Sequence, residues 1–344
     1  VVLPASGCEM IAKVRRRFAS PTIDPSLTAV GSGEGAVGSG ATTLQGTGTD
    51  YISGMEQLVE TGLGPVTVVR EGLGQPVLFI HGSPGGWDSS VVMGRFLVES
   101  GFEVIAPSRP GYPGTPLLER TGIDQQADLH AALLDALGIP SAGVLTWSGG
   151  GPSGYRLAVL HPERVTALAA FASVSGSWEP PPAGLDERLI EDTDFGNWVL
   201  RFMTRHAPKS TMSSTLAAEG DLDRKEVKAL VAEAMEDDNQ RDVILTMAAV
   251  VADHSNRREG LDNDYARFAA IESLELERIE APALVVHGNA DADVPYEHGR
   301  FAASTIPGAR LETMDRGTHL SLFVHPECGR FQKVVADHLS TAAS

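Results

Sequence analysis

Val144-Leu145-Thr146-Trp147-Ser148-Gly149-Gly150-Gly151 is a short apolar run that ends on a serine and passes at once into glycines, with a helical pattern from Tyr155 to Leu160 behind it. A strand that breaks sharply into a helix holds its turn residue in a strained conformation and lifts that side chain above the sheet. Small neighbours are needed because the flanking backbones crowd the turn. A serine so placed can act as a nucleophile. Thr146 stands where a G-x-S-x-G elbow has its first glycine, so the run also reads as a glycine-rich loop that happens to hold a serine. Other segments decide between the two.

Upstream, Pro76-Val77-Leu78-Phe79-Ile80 has the pattern of a buried strand and runs into His81-Gly82-Ser83-Pro84-Gly85-Gly86. Acyl transfer needs backbone N–H groups aimed at a developing oxyanion, and a glycine-rich loop lets backbone approach a substrate. Ser83 can offer its N–H; Pro84 has none. Gly149, directly after the serine, is the second expected donor. Downstream, Ala283-Leu284-Val285-Val286-His287-Gly288 leads into Asn289-Ala290-Asp291-Ala292-Asp293-Val294-Pro295, and Gly317-Thr318-His319-Leu320 follows. The chain order is serine, acid, histidine.

With these segments together, the chain resembles an α/β-hydrolase-fold enzyme. It is similar to the branch with an H-G-x-P loop, a serine elbow, an H-G-x-x-D-x-x-V-P acid loop and a helical cap. Val104-Ile105-Ala106-Pro107-Ser108-Arg109-Pro110-Gly111-Tyr112 resembles that family's fourth strand and following loop, and His161-Pro162-Glu163-Arg164-Val165 the end of the helix after the elbow. The resemblance spans about residues 65 to 340.

The expected roles follow from the chemistry. A neutral Ser148 hydroxyl attacks a carbonyl poorly, so a base must take its proton. His319 is that base, because an imidazole titrates near working pH. A carboxylate holds its tautomer and stabilises the imidazolium. The resemblance implies Asp291, three residues past His287-Gly288; Asp293 is the rival.

Other candidates have plainer readings. His81 and His287 end buried strands and are expected to be held by loop backbone. His325 lies six residues from His319 and stays a second candidate base, although Pro326 marks it as the approach to the last helix. Ser153 reads as a helix-start residue and His161 as a helix end. His130, His206, His254, His298 and His338 show no partner pattern. There is no H-E-x-x-H, C-x-x-C pair or dense Asp/His cluster, and no G-x-x-x-x-G-K-[ST]; neither a metal nor a cofactor is expected.

The elements that must position these residues alternate. Strands are predicted at Val66–Arg70, Val77–His81, Glu103–Pro107, Gly143–Trp147, Val165–Ala172, Ala283–His287 and Arg310–Met314, with a helix over Gln125–Leu137. Such alternation gives an α/β fold, a mostly parallel doubly wound sheet covered on both faces. Ligands bind it beyond the carboxyl ends of the strands, where Ser83, Ser148, Asp291 and His319 would meet. Residues 64–175 and 281–344 are the expected core. Over residues 176–280 the alternation stops, and Phe195–His206 and Arg224–Val251 look helical: an inserted cap. Met203, Met212, Met235 and Met247 there could line an adaptable pocket, but such residues more often fill helix interfaces.

Residues 1–63 are expected to be a flexible leader, rich in Gly, Ser and Thr from Gly31 to Thr49. Val1 in place of Met suggests a fragment or a processed form. Leu3 to Cys8 could end a secretion signal or carry a lipid anchor; a frayed terminus is the equal alternative, and the cytoplasm is the default compartment. With 344 residues, 42% of them hydrophobic, the chain can bury a core and a lid. A net charge of −18 argues against nucleic acid or an anionic membrane as partner. No run approaches the roughly 18 apolar residues of a spanning helix. The two cysteines, Cys8 and Cys328, imply no disulfide framework. The sequence does not specify an oligomeric state.

The expected function is a serine hydrolase of the carboxylesterase kind acting on small or medium acyl esters. Alternatives within the same chemistry are amide or C–C bond hydrolysis, as in a proline iminopeptidase-like or ring-cleavage-product hydrolase. An aminopeptidase would want a carboxylate cluster in the cap, for which Glu233, Glu236, Asp237 and Asp238 are on offer, although such a run is usually a solvated helix face. Members of the fold that act as dehalogenases or epoxide hydrolases use an aspartate where this chain has Ser148. A non-catalytic ligand-binding member of the fold is the remaining alternative, and Thr146 is its only support.

Overall fold

A computed structural model describes residues 54–179 and 202–340. One eight-stranded sheet organises them: β1 (Gln57–Thr61), β2 (Gly64–Gly72), β3 (Gln75–Ile80), β4 (Phe102–Pro107), β5 (Ala142–Trp147), β6 (Val165–Phe171), β7 (Ala283–Gly288) and β8 (Arg310–Met314). Their spatial order is β1-β2-β4-β3-β5-β6-β7-β8. The β1–β2 and β2–β4 pairs are antiparallel and all later pairs parallel. The chain thus has the expected α/β-hydrolase architecture.

β5 and β7 are buried at every position. Both faces of the sheet are covered, which is why these strands read as unbroken apolar runs rather than alternating ones. The register sorts the side chains. Phe79, Leu145, Ala169 and Leu284 form one row across four strands, while Leu78, Val144, Leu168 and Ala283 form the row that faces the other way. The first row joins the core under α1 (Trp87–Met93), α2 (Arg95–Glu99) and α10 (Cys328–Ser340). The second joins the core under α3 (Ile123–Ala136), α4 (Gly151–Leu160) and α9 (Tyr296–Thr305).

Two expectations are corrected. Residues 57–61, placed in the leader, form edge strand β1 in register with Gly64–Val68. Only part of β1 is covered and Leu58 is 61% exposed, so it carries no apolar run to read. Residues 1–53 of the expected leader lie outside the described residues.

The segment Arg224–Val251, read as one helix, is two: α6 (Arg224–Ala234) and α7 (Asp238–Ala252). The break is built by Asp237, whose Oδ1 accepts the Gln240 N–H at 3.0 Å and caps α7. Asp223 and Glu226 form a capping box at the start of α6. With α5 (Pro208–Ala218) and α8 (Arg258–Ala269), these helices are inserted between β6 and β7. Residues 202–206 are helical; the earlier part of the helix expected from Phe195 lies outside the described residues. Met212 and Met247 are buried among the inserted helices. Ion pairs Arg95–Asp242 (2.8 Å) and Arg257–Asp88 (2.7 Å) fasten the insertion to the core.

Candidate active site

Ser148 follows β5 directly and has φ +53°. A non-glycine residue is strained there, and the strain is held because Ser148–Gly150 form a single 3-10 turn that runs into α4. Gly150 must be bare: a Cβ on it would lie 2.6 Å from the His81 carbonyl oxygen. Thr146, the departure from the elbow pattern, is fully buried, and its Oγ1 lies 2.8 Å from Ser173 Oγ. Its methyl points at Gly154 of α4, where no side chain competes for the space.

The two expected oxyanion donors are neighbours. A Cβ on Gly149 would stand 2.9 Å from the Ser83 Cβ, so the loop after β3 and the turn after β5 touch at these residues. His81 does not face this junction as a titrating group. Its Nε2 accepts the Arg109 N–H at 2.9 Å, so Nδ1 carries the proton and meets the Gly82 oxygen at 2.7 Å. Burial and then Arg109 depress its pKa well below the ordinary value.

Asp291 and His319 come together as expected. Asp291 Oδ2 lies 2.9 Å from His319 Nδ1. Its Oδ1 accepts the N–H groups of Asp293 and Val294, both at 2.9 Å, which fixes the carboxylate plane. His287 Nε2 adds a longer contact at 3.3 Å to Oδ2, next to its bond with the Val294 oxygen at 2.9 Å. Burial works against the charge on Asp291, but His319 and His287 outweigh it and bring its pKa down to about 2. Asp293, the rival, takes a different position: its side chain is 52% exposed and its Oδ2 lies 4.0 Å from His319 Nε2.

Sequence reasoning missed Glu219, which ends α5. Its carbonyl accepts the His319 N–H at 2.9 Å. The next residue, Gly220, forms a β-bridge with Asp291, and the Asp221 N–H reaches the Ala290 oxygen at 2.8 Å. These bonds bring the Glu219 carboxyl beside Asp293 and His319, all within 4.8 Å of one another. The chain shows no dense Asp/His cluster in sequence, yet the fold assembles this one, and its atoms are of the kind that can hold a cation. Burial, then the Asp293 carboxylate, keep Glu219 well above the usual carboxylate range. Burial opposes charge on His319 as well, but Asp291, Asp293 and Glu219 push its pKa up to about 10.

Arg109 and Asp264 were also missed as partners; they form a bidentate ion pair behind Ser83 at 2.6 and 2.9 Å, each side chain 1% exposed. The second candidate base, His325, is engaged elsewhere, with Nε2 3.1 Å from the Asp315 oxygen and Nδ1 accepting the Glu327 N–H. Ser153 bonds the Gly150 oxygen and His130, as a helix-start residue does. Of the four cap acids weighed, Asp237 caps α7 and Asp238 pairs with Arg241. Among the described residues, no helix is long and apolar enough to cross a membrane.

A family model described as the alpha/beta hydrolase fold matches residues 75–326. The chain is similar to a solved alpha/beta hydrolase fold protein from Nakamurella multipartita, 47% identical with a TM-score of 0.81, over 84% of this chain and 100% of that one. It is 26% identical over 291 residues to a pimeloyl-[acyl-carrier protein] methyl ester esterase of Chromobacterium violaceum, covering 84% of this chain and 100% of the relative. It is 27% identical over 275 residues to a 2-hydroxymuconate semialdehyde hydrolase of Pseudomonas putida, covering 79% and 89%.

Proposed function

The chain belongs to the alpha/beta hydrolase fold family, and from that premise we propose that it hydrolyses carboxylic esters through an acyl-enzyme on Ser148. One observation carries the reading: a serine at φ +53° on a strand-to-helix turn, in the same fold as an Asp291–His319 pair at 2.9 Å. Ser148 Oγ attacks the ester carbonyl while His319 Nε2 takes its proton. Asp291 holds Nδ1–H and stabilises the imidazolium. The N–H groups of Ser83 and Gly149 receive the oxyanion. Collapse of the tetrahedral intermediate expels the alcohol, which takes the proton from His319. Water then attacks the acyl-enzyme with His319 as base, releasing the acid and freeing Ser148. The esterase of Chromobacterium violaceum supports an ester as the substrate class.

The test is labelling with a fluorophosphonate, mass spectrometry of the adduct, and a p-nitrophenyl ester chain-length series. The expected outcome is an adduct on Ser148 with ester turnover. No adduct on folded protein sinks the reading. An adduct without ester turnover favours amide or C–C hydrolysis by the same centre, a reading that the 2-hydroxymuconate semialdehyde hydrolase relative supports.

A further inference from the structure

We propose that Asp264, carried by inserted helix α8, is a positioning residue for the oxyanion loop, acting through Arg109 and the Ser83 side chain. The inference rests on reading Ser83 as an oxyanion donor. Arg109 spreads its guanidinium over three consecutive loop residues: Nε donates to the His81 oxygen at 3.0 Å, Nη2 to the Gly82 oxygen at 3.0 Å, and Nη2 to Ser83 Oγ at 2.8 Å. The middle bond matters most. The Gly82 C=O and the Ser83 N–H share one planar peptide, and in a trans peptide they point opposite ways. Pinning that carbonyl to Arg109 therefore aims the Ser83 N–H away from the guanidinium, and the bonds of the Ser83 hydroxyl to Arg109 and Asp264 hold the same residue from its side chain. Pro84 cannot substitute as a donor.

Asp264 in turn fixes Arg109. Its carboxylate takes both guanidinium nitrogens, the Ser83 hydroxyl at 2.5 Å and the Tyr112 hydroxyl at 2.6 Å. Burial, then Asp264 itself, hold the Tyr112 phenol well above its ordinary pKa, so it remains a donor. Gln126 adds a contact to Arg109 Nη1 at 3.3 Å. A charge pair this buried is expensive to desolvate and is a poor way to gain stability; what it supplies is a single orientation. Asp264 lies beyond β6, in the insertion, and the Gly260 N–H of the same helix bonds the Gly111 oxygen of the Arg109 loop at 3.0 Å. The oxyanion loop of the core is thus completed by a residue of the cap.

The test compares Asp264→Asn and Ser83→Ala with the wild type. Ser83→Ala keeps the N–H and loses only the hydroxyl bonded to Asp264 and Arg109. Steady-state ester kinetics, Tm and binding of an aryl trifluoromethyl ketone, which captures the serine as a tetrahedral oxyanion, are measured on each folded protein. Asp264→Asn is expected to lower kcat by about a hundredfold, the scale of one lost oxyanion donor. KM should stay within about twofold, and ketone affinity should fall in step with kcat, since only the transition state is affected. Ser83→Ala should show the same pattern at about tenfold, and it decides the matter if Asp264→Asn does not fold. A fall in Tm with kcat and ketone affinity unchanged would overturn the proposal and leave the pair purely structural. The functional reading fails separately: a wild type that takes no fluorophosphonate on Ser148 removes the reaction itself and the inference with it.

Discussion

The side chain of Thr146 and the bare Cα of Gly154 are fitted to one another: the threonine methyl fills the space that a Cβ at 154 would occupy. An elbow of this kind needs room two residues before its serine, where the strand passes the helix that follows. Here the missing volume is on the helix side of that contact and the β-branched residue on the strand side. Thr146 Oγ1 is satisfied by Ser173 at 2.8 Å, so its burial leaves no polar atom unpaired.

Gly154→Ala is therefore expected to destabilise the protein by about 1–3 kcal/mol through overpacking. Thr146→Ser removes the methyl and keeps the hydroxyl bond, so the double variant should regain much of that loss. A double-mutant cycle from denaturant unfolding measures the coupling. Additive effects would mean the contact is not the reason for the glycine.

Asp291→Asn should lower kcat by about ten-thousandfold, because an amide cannot hold the required tautomer of His319. Asp293→Asn should change kcat by less than about tenfold in either direction, since Asp293 does not touch Nδ1. Kinetics on one p-nitrophenyl ester decide between them, and the reverse ranking would move the acid to Asp293.

His319 can accept the serine proton only when neutral, and its pKa is pushed up to about 10. The imidazolium is then the resting form at neutral pH, and kcat/KM should keep rising with pH well above the ordinary imidazole range. Glu219→Gln and Asp293→Asn each remove a carboxylate that favours the imidazolium, so the rising limb should move toward lower pH in both. A wild-type limb near 6.5 that neither variant shifts would refute this account.

The same pair links stability to pH. The raised pKa of His319 contributes stability that is full below about 6.5 and is lost as pH rises through about 10. The lowered pKa of Asp291 contributes stability that is present above 3.8 and lost as pH falls through about 2. Asp291→Asn should accordingly depress Tm most between those limits, near pH 5–6, with the gap narrowing toward pH 10. Scanning calorimetry across that range reads it directly.

What could be read from the sequence was what local chemistry dictates. β5 and β7 are buried on both faces and advertise themselves as apolar runs. Ser148 and Gly149 follow one of them at once and Asp291 follows the other closely, and His319 sits in the loop after β8, so residues far apart in the chain could be read as one candidate site. β1 was not legible because three of its five residues are exposed and it carries no apolar run. Glu219 and Asp264 were missed for a different reason. Each reaches the site through backbone or ion-pair contacts across the insertion, with 181 residues separating Asp264 from Ser83. Nothing in the neighbouring sequence distinguishes them from surface acids on a helix. The choice between Asp291 and Asp293 needed geometry as well: the two amides on Asp291 Oδ1 turn that carboxylate inward, and no spacing rule contains that information.

The bridge between Gly220 and Asp291 constrains how this enzyme can diverge or be re-engineered. A helical insertion held only at its two ends could be exchanged wholesale for that of a relative, and new specificity would come without disturbing the chemistry. Here a strip of the insertion, residues 219–221, is hydrogen-bonded to the loop that carries the acid. A chimera would have to keep that strip, together with Asp264 of α8, with the recipient core and graft only the remaining helices. Laboratory evolution aimed at new acyl groups should find its tolerated changes in α5 to α7 and meet resistance at these three residues and at Asp264.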